Sequence, residues 1–225
     1  MNTDSRIIEF SNVTFAYPNE RNLFKGLSLK IMAGNYYLIR GPSGSGKSTF
    51  LRLINRLEEP TGGSLLFYGQ HLTSYDPASL RRSILYIQQT PMSIGMTVKQ
   101  NLLLAFSFKN NRNLEPPNDD VLRTHLDNFL LNDISLEANA QTLSVGQLQR
   151  LCFIRGLVLN PKVLMLDEPS SALDEESGRI VEETAERLCT DSGLTVLMVS
   201  HRQLTPKQIK CRVLQISNGH IEEVA

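Results

Sequence analysis

The chain has 225 residues, and its 23 Lys and Arg balance its 23 Asp and Glu. This length is enough for one domain, or two small ones, with a substantial core, and the balanced charge gives no overall field that favours nucleic acid or an acidic membrane surface. The sequence contains no apolar run of the roughly 20 residues that span a bilayer and no signal-peptide pattern at its start, so we expect a soluble protein. Three widely spaced cysteines, Cys152, Cys189 and Cys211, favour reduced core thiols in a cytosolic protein.

Short β-like runs occupy the first part of the chain. IIEF, VTFAY, LSLKI and YYLIR are rich in branched and aromatic residues and are separated by turn signals, which favours four strands. YYLIR runs directly into Gly41, and the apolar residues that follow GKST have helical spacing. GGSLLFYGQHL is typical of a hairpin, and ILYIQ of a further strand.

The pattern becomes helical in the middle of the chain and then alternates. From Thr97 to about Leu143 we predict helices joined by polar loops, with Asp119 and Asp120 suited to the first turn of one helix. Strand-like runs return in KVLML, LTVLMVS and RVLQI, and an amphipathic helix, EESGRIVEETAERL, follows the first of them. Strands that alternate with helices predict an α/β fold with a mostly parallel sheet covered on both faces.

The segment GPSGSGKST matches the phosphate-binding pattern G-x-x-x-x-G-K-[ST] and lies, as that pattern requires, between a predicted strand and a predicted helix. Its glycines let the backbone approach phosphates, and its N–H groups form an anion cradle with the helix N-terminus. Lys47 can reach the β- and γ-phosphates, and the Ser48 hydroxyl can ligate Mg²⁺. The candidate residues of this loop are Gly41, Ser43, Gly44, Ser45, Gly46, Lys47, Ser48 and Thr49.

The segment VLMLDEP supplies the second metal ligand that a phosphate-binding loop takes from a neighbouring strand. Its apolar residues predict a buried strand, and Asp167 follows at the carboxyl end, where open α/β sheets bind ligands. We expect Asp167 to hold Mg²⁺, directly or through water, and Glu168 to accept a proton from the attacking water. The alternative, that the two acids simply end a strand and face solvent, does not account for the phosphate-binding loop beside them.

From about Ile7 to Glu222 the chain resembles the ATP-binding subunit of ABC transporters, because GPSGSGKST, LSVGQLQR, VLMLDEP, SALD and VSH occur in that order. The resemblance implies ATP and Mg²⁺ as cofactors, ATP hydrolysis coupled to transport, and a P-loop NTPase (RecA-like) α/β fold. That fold has a mostly parallel sheet core, an N-terminal antiparallel β subdomain and an inserted α-helical subdomain. The implied single domain covers 1–225, with core and β subdomain at about 1–89 and 157–225 and the helical subdomain at about 90–156.

The resemblance also implies roles for residues outside these two segments. Tyr17 corresponds to the aromatic residue that stacks on adenine, and Gln89 to the glutamine that touches Mg²⁺ and senses the transporter, although Gln88 is an alternative for that position. Asp174, in SALD, belongs to the loop that communicates across the dimer, and His201 matches the histidine that contacts the γ-phosphate. Structural alternatives remain: an ordinary strand aromatic for Tyr17, a solvated strand end for Gln89 and a helix N-terminus for Asp174.

In the family, the LSVGQ run lies on the helical subdomain and faces the ATP held by the other subunit. The resemblance implies that Ser144 donates its hydroxyl and Gly146 its backbone N–H, with Gln147 retained, while the helix dipole favours the γ-phosphate. Val145 departs from the usual glycine: it loses access to positive φ and adds bulk, so we expect binding to survive and turnover to be weakened. A plain helix capped by Ser144 is the structural alternative.

The implied partners are a second copy of the ATPase, in an ATP-sandwich homodimer, and a separate multi-span membrane subunit. The chain is then peripheral, on the cytoplasmic side of the inner or plasma membrane, and no nucleic-acid partner is expected.

A bacterial iron-export ATPase subfamily is resembled by the segment GGSLLFYGQHLTSYDPASLRRSILYIQQTP. The alternatives are a non-transport ABC ATPase in nucleic-acid or translation processes and a hydrolytically weak regulator. Cargo and direction stay open.

Overall fold

The computed structural model describes residues 5–19, 22–88, 90–92, 94–169, 173, 175–200, 206 and 209–224. The strands are β1 (Arg6–Phe15), β2 (Phe24–Met32), β3 (Tyr36–Arg40), β4 (Gly62–Phe67), β5 (Gln70–His71), β6 (Ile84–Ile87), β7 (Val163–Asp167), β8 (Thr195–Val199), β9 (Cys211–Ser217) and β10 (His220–Val224). The α-helices are α1 (Lys47–Ile54), α2 (Pro77–Ser83), α3 (Val98–Leu103), α4 (Asp119–Asn128), α5 (Val145–Leu157) and α6 (Glu175–Ser192). Short 3-10 helices lie at Leu72–Ser74, Leu104–Ser107, Lys109–Asn111 and Ala140–Thr142.

The larger sheet has the strand order β10-β9-β3-β8-β7-β6. Every neighbouring pair from β9 to β6 is parallel, and only the edge strand β10 pairs antiparallel, with β9. All residues of β7 and β8 are buried, as expected for parallel strands covered on both faces. The predicted α/β fold with a mostly parallel sheet is therefore confirmed.

Alternate residues of this sheet pack into two separate cores, because successive side chains of a strand point to opposite faces. On β7, Met165 belongs to a core shared with α1 and the smaller sheet, whereas Leu164 and Leu166 belong to a core shared with α4, α5 and α6. Phe50 of α1 stacks on Phe10 with ring centroids 5.1 Å apart. Helices α1 and α5 consequently cover opposite faces of the parallel sheet.

The smaller sheet is antiparallel, with the order β2-β1-β4-β5. The prediction of separate strands for IIEF and VTFAY is wrong, since IIEF and the first three residues of VTFAY lie in the single strand β1. The Asn between them makes a bulge: Asn12 has φ 51°, and the pairing with both β2 and β4 shifts register around it. Asn tolerates the left-handed conformation, so what was taken as a turn signal marks a bulge that keeps the strand continuous.

The prediction of helix from Thr97 to Leu143 is confirmed only in part. Regular helix is limited to α3 and α4, and 3-10 turns and irregular chain fill the rest. Asn118 caps α4 by accepting from the N–H of Val121, and Asp119 and Asp120 occupy its first turn as predicted.

None of the helices in the described part of the chain is long and apolar enough to cross a membrane. The division into subdomains near residues 90 and 156 stays a prediction.

The three cysteines form no disulfide. Cys189 on α6 is buried, and burial raises the pKa of its thiol to about 12. A thiol with so high a pKa is almost entirely protonated at neutral pH and is a poor nucleophile. Cys152 and Cys211 are only partly buried. Of the three cysteines predicted to be core thiols, Cys189 is therefore the one that is fully in the core.

Two glycines with the same backbone conformation offer a test of the bulge. Gly63 and Gly69 both have φ 76°, but a Cβ on Gly63 would collide with the main-chain carbonyl of Asn12, while one on Gly69 would meet nothing within 4 Å. Gly69→Ala should lower the free energy of unfolding by about 1–2 kcal/mol, the cost of left-handed backbone. Gly63→Ala should cost about 1–3 kcal/mol more, because the β1–β4 ladder has to move. Urea denaturation of both variants measures the difference, and equal losses would contradict the packing assigned to Gly63.

Candidate functional site

The phosphate-binding loop connects the centre of the parallel sheet to α1. Strand β3 ends at Arg40, and α1 begins at Lys47 after Gly46, whose φ of 99° is left-handed. The N-cap residue of α1, Gly46, has no side chain to cap the first turn, and the helix itself has no acidic residue there. The N–H groups of that turn can therefore donate to an external acceptor, and the helix dipole favours an anion at the same place.

Two glycines of the loop are required by packing and backbone conformation, and the close approach to phosphates stays a prediction. A Cβ on Gly41 would collide with the carbonyl of Ile216 in β9 and lie 2.7 Å from Oγ of Ser45, so Gly41 lets the loop pass close to its neighbouring strand. A Cβ on Gly44 would meet nothing within 4 Å, but Gly44 has φ 76°, a conformation that costs other residues energy. Packing and backbone conformation therefore demand these glycines before any phosphate is considered.

Polar groups of the loop suit an anion. Lys47 is only 7% exposed, and its Nζ donates to the carbonyls of Gly41 at 3.0 Å and Pro42 at 3.1 Å. The buried hydroxyl of Ser45 has no hydrogen-bond partner among the described residues. A buried polar atom without a partner is costly, and a phosphate oxygen at this loop would accept its proton.

Asp167 and Glu168 lie at the carboxyl end of β7. Asp167 is 8% exposed, and its Oδ2 accepts a hydrogen bond of 2.6 Å from the hydroxyl of Tyr86 on β6. Glu168 has φ 50°, and its N–H donates to the carbonyl of Val199 at 3.1 Å. A left-handed glutamate is uncommon, and such residues cluster at functional sites. The conformation marks the point where the chain leaves the sheet.

Two tyrosines and an arginine connect α1 to these acids. The hydroxyl of Tyr17 lies 3.0 Å from Oγ1 of Thr49, within hydrogen-bond distance, and the Tyr17 ring packs edge-on against Phe15. The Arg52 guanidinium lies beside the hydroxyls of Tyr17 and Tyr86; burial lowers the pKa of Arg52, but these contacts outweigh burial and raise it overall. Burial, with the hydrogen bond to the nearby carboxylate, raises the pKa of Tyr86.

The LSVGQ run forms the start of α5 as a capping box. Ser144 Oγ accepts from the N–H of Gln147 at 3.2 Å, and Gln147 Oε1 accepts from the N–H of Ser144 at 2.9 Å. A serine hydroxyl that accepts one bond still has a proton to donate, so the cap and the predicted phosphate contact are compatible. Gly146 is buried in the first turn.

The backbone argument about Val145 is wrong. Val145 is the first residue of α5 and is not among the residues with positive φ. Its conformation is therefore open to any amino acid that tolerates the start of a helix. Its side chain is 56% exposed, so only the predicted bulk remains as a difference from glycine.

The structure places the loop, Tyr17 and Asp167 around α1, through the contact of Tyr17 with Thr49 and the packing of α1 against β7, and Glu168 follows Asp167 directly in the chain. No hydrogen bond within the described residues joins this group to the Ser144–Gln147 turn, and α5 lies on the opposite face of the sheet from α1. Three predicted site residues lie outside the residues that the structure describes: Gln89, Asp174 and His201. Gln88, the alternative to Gln89, is exposed.

Sequence reasoning missed Tyr86 and Arg52. Tyr86 pairs with Met165 in the parallel register of β6 and β7, which places it on the same face as Asp167, two residues further along. The alternation of side chains between the two faces of a sheet could have indicated that Tyr86 and Asp167 share a face. Using it requires knowing that ILYIQ and KVLML form neighbouring strands.

Comparisons with known proteins agree with this arrangement. The family profile described as ABC transporter matches residues 24–171. The chain is 35% identical over 201 residues to the "Probable iron export ATP-binding protein FetA" of Escherichia coli (strain K12), which covers 89% of this chain and 87% of that protein. It is 33% identical over 222 residues to "ABC transporter B family member 14" of Arabidopsis thaliana, but this match spans only 17% of that longer protein.

Two solved structures are similar over nearly the whole chain. A bacterial Atm1-family ABC exporter with ATP bound superposes with a TM-score of 0.82 and 26% identity, covering 99% of this chain and 39% of that one. The ADP conformation of MJ1267, an ATP-binding cassette of an ABC transporter, superposes with a TM-score of 0.78 and 27% identity, covering 97% and 90%.

The fold and the loop after β3 define a P-loop ATPase. More particularly, the chain belongs to the ABC transporter family, as an ATP-binding domain whose ATP hydrolysis powers transport. Domains of this family work with membrane-spanning partners and dimerise. The predicted family, fold and enzyme class are confirmed.

Proposed function

We propose that this chain is the ATPase subunit of a transporter whose membrane-spanning part is a separate protein. The observation that carries the proposal is the phosphate-binding loop at the end of β3, next to the acids that end β7. Lys47 of this loop is buried, and the Ser45 hydroxyl has no hydrogen-bond partner in the described part of the chain. The match to FetA, a protein described as ATP-binding and covered over 87% of its length, supports a subunit of this size.

The loop binds the phosphates of ATP. The backbone of Gly41, Ser43, Gly44, Ser45, Gly46, Lys47, Ser48 and Thr49 surrounds them. The ammonium of Lys47, now bonded to two loop carbonyls, exchanges these for phosphate oxygens, which are stronger acceptors because they are charged. Tyr17 stacks on adenine, and the contact between its hydroxyl and Thr49 fixes the ring against α1.

Ser48 and Asp167 are the described residues that hold Mg²⁺. A hydroxyl and a carboxylate are oxygen donors of the kind Mg²⁺ prefers, and α1, which carries Ser48, packs against β7. When bound, the ion neutralises charge on the phosphate oxygens. Glu168 accepts the proton of the attacking water. Gln89 is proposed as a further metal contact and His201 as a γ-phosphate contact.

Two copies of the chain complete each site. Ser144, Gly146 and Gln147 serve the nucleotide held by the other copy, since α5 and α1 cover opposite faces of the sheet within one chain. The start of α5 supplies a hydroxyl proton, N–H groups and a favourable dipole, which together stabilise charge on the γ-phosphate. Asp174 communicates between the two copies.

The membrane partner is a separate multi-span subunit, and the chain binds it on the cytoplasmic side of the inner or plasma membrane. Metal or iron export is the proposed transport, on the basis of the identity of 35% to the probable iron export protein FetA.

Substitutions in the two motifs should separate ATP binding from hydrolysis. Lys47→Ala removes the cation that faces the phosphates, and we expect ATP binding to become undetectable by calorimetry. Glu168→Gln keeps the phosphate and metal contacts but removes the base, so binding should persist while turnover falls by about 10²-fold or more. Equal ATP affinity in wild type and Lys47→Ala would contradict the proposed phosphate site.

The shared site should appear as an ATP-dependent dimer. In the Glu168→Gln background, ATP and Mg²⁺ should convert monomer to dimer in light scattering, and adding Ser144→Ala should weaken that dimer. Asn118→Ala is the matched control, because Asn118 also caps a helix with its side chain. Each cap deletion should cost about 1 kcal/mol of stability. A dimer weakened equally by both substitutions would show that Ser144 acts only as a cap.

The separate partner should be detectable by co-purification. We expect a gene for a multi-span membrane protein beside the gene for this chain, and a tagged form of the chain, expressed with that protein, should retain it in detergent. Its ATPase rate should then change on binding. The Lys47→Ala variant serves as the control, since docking does not require its ammonium. An ATPase that never associates with a membrane protein would contradict the proposal.

A further inference from the structure

The hydrogen bond from Tyr86 to Asp167 has no role in the proposed chemistry so far. It measures 2.6 Å between the phenol oxygen and Oδ2, and it joins two neighbouring parallel strands, β6 and β7, at the edge where the phosphate-binding loop lies. Tyr86 is partly buried and its ring packs against the core that the parallel sheet shares with α1 and the smaller sheet. The hydroxyl is thus held in place by the packing of the ring rather than by the hydrogen bond alone.

A neutral donor suits a carboxylate that also has to bind a cation. A lysine or arginine bonded directly to Asp167 would repel Mg²⁺, whereas a phenol satisfies one carboxylate lone pair without adding charge. No other hydrogen bond to this carboxylate comes from the described residues, so its remaining lone pairs on Oδ1 and Oδ2 suit the metal and its water. The Arg52 guanidinium lies beside the Tyr86 hydroxyl.

We propose that Tyr86 is a positioning residue for the metal site: its hydroxyl fixes the orientation of the Asp167 carboxylate so that the other carboxylate oxygen, Oδ1, faces the metal. The inference rests on the proposed role of Asp167 as a Mg²⁺ ligand. Partners that orient metal ligands are typically worth about 10–100-fold in metal affinity or activity. Tyr86 should therefore affect how strongly Mg²⁺ and nucleotide support each other's binding, and not how the loop binds nucleotide by itself.

The test measures the dissociation constant of ATP twice for each variant, in excess Mg²⁺ and in EDTA. The dissociation constant in EDTA divided by that in Mg²⁺ measures the coupling between metal and nucleotide. This coupling has the same size whether it is measured as the effect of Mg²⁺ on ATP binding or of ATP on Mg²⁺ binding. Tyr86→Phe removes only the hydroxyl and should reduce this ratio by about tenfold, with an unchanged constant in EDTA. Tyr75→Phe is the control, because its hydroxyl likewise donates a bond, of 2.8 Å, to the Phe67 carbonyl.

Asp167→Asn separates failure of this inference from failure of the proposed metal site. If Asp167→Asn reduces the ratio and Tyr86→Phe does not, Tyr86 is not a positioning residue, although Asp167 still binds the metal. If Asp167→Asn also keeps the wild-type ratio, the metal role itself is wrong and the inference falls with it. A change in the EDTA constant of Tyr86→Phe would overturn the inference too, since it would show a general disturbance of the nucleotide site.

A second variant guards against misfolding of Tyr86→Phe. Arg52→Met leaves Tyr86 in place but removes the guanidinium beside its hydroxyl, so the coupling ratio should fall in the same direction and by a smaller factor. Thermal unfolding of all variants shows whether they fold. A wild-type ratio in every folded variant that alters Tyr86 or Arg52 overturns the proposal.

Discussion

The parallel pairing of β3, β8, β7 and β6 is the constraint on which the candidate site depends. Because these strands run in one direction, their carboxyl ends reach the same edge of the sheet, and β3, β7 and β6 each deliver a different group there. Strand β3 leads into the phosphate-binding loop, and β7 ends at Asp167, which the hydrogen bond from β6 holds. Burial of β7 and β8 on both faces fixes this register, since slipping by one residue would exchange the two cores.

The chemistry that a single segment carries was predictable from the sequence. The loop 41–49 and the acids after VLML are local patterns, and the cap at Ser144 also follows from neighbouring residues. What depends on strand pairing was not predictable in the same way. The contact between Tyr86 and Asp167 joins positions 81 residues apart, and nothing local in ILYIQ indicates which strand lies beside it.

In the fold, too, local sequence patterns predicted some elements, while others depend on strand pairing. The buried strands were found because their apolar runs are unmistakable, whereas the edge strand β10 was missed because only Ile221 in it is buried. Edge strands are often short and polar, so periodicity alone does not distinguish them from loops. The bulge at Asn12 misled the interpretation of β1 for a related reason: an isolated asparagine suits both a turn and a left-handed bulge, and only pairing with β2 and β4 decides between them.

Val145 shows how a structure changes the meaning of a sequence departure. From the sequence, valine in place of glycine has two separate consequences, a lost backbone conformation and added bulk. The helical position of Val145 removes the first, and its 56% exposure places the added bulk on the surface instead of in the core. Within one chain the side chain therefore disturbs nothing. Any effect on turnover has to come from what approaches the start of α5 from outside, which in the proposed dimer is the nucleotide and loop of the second copy.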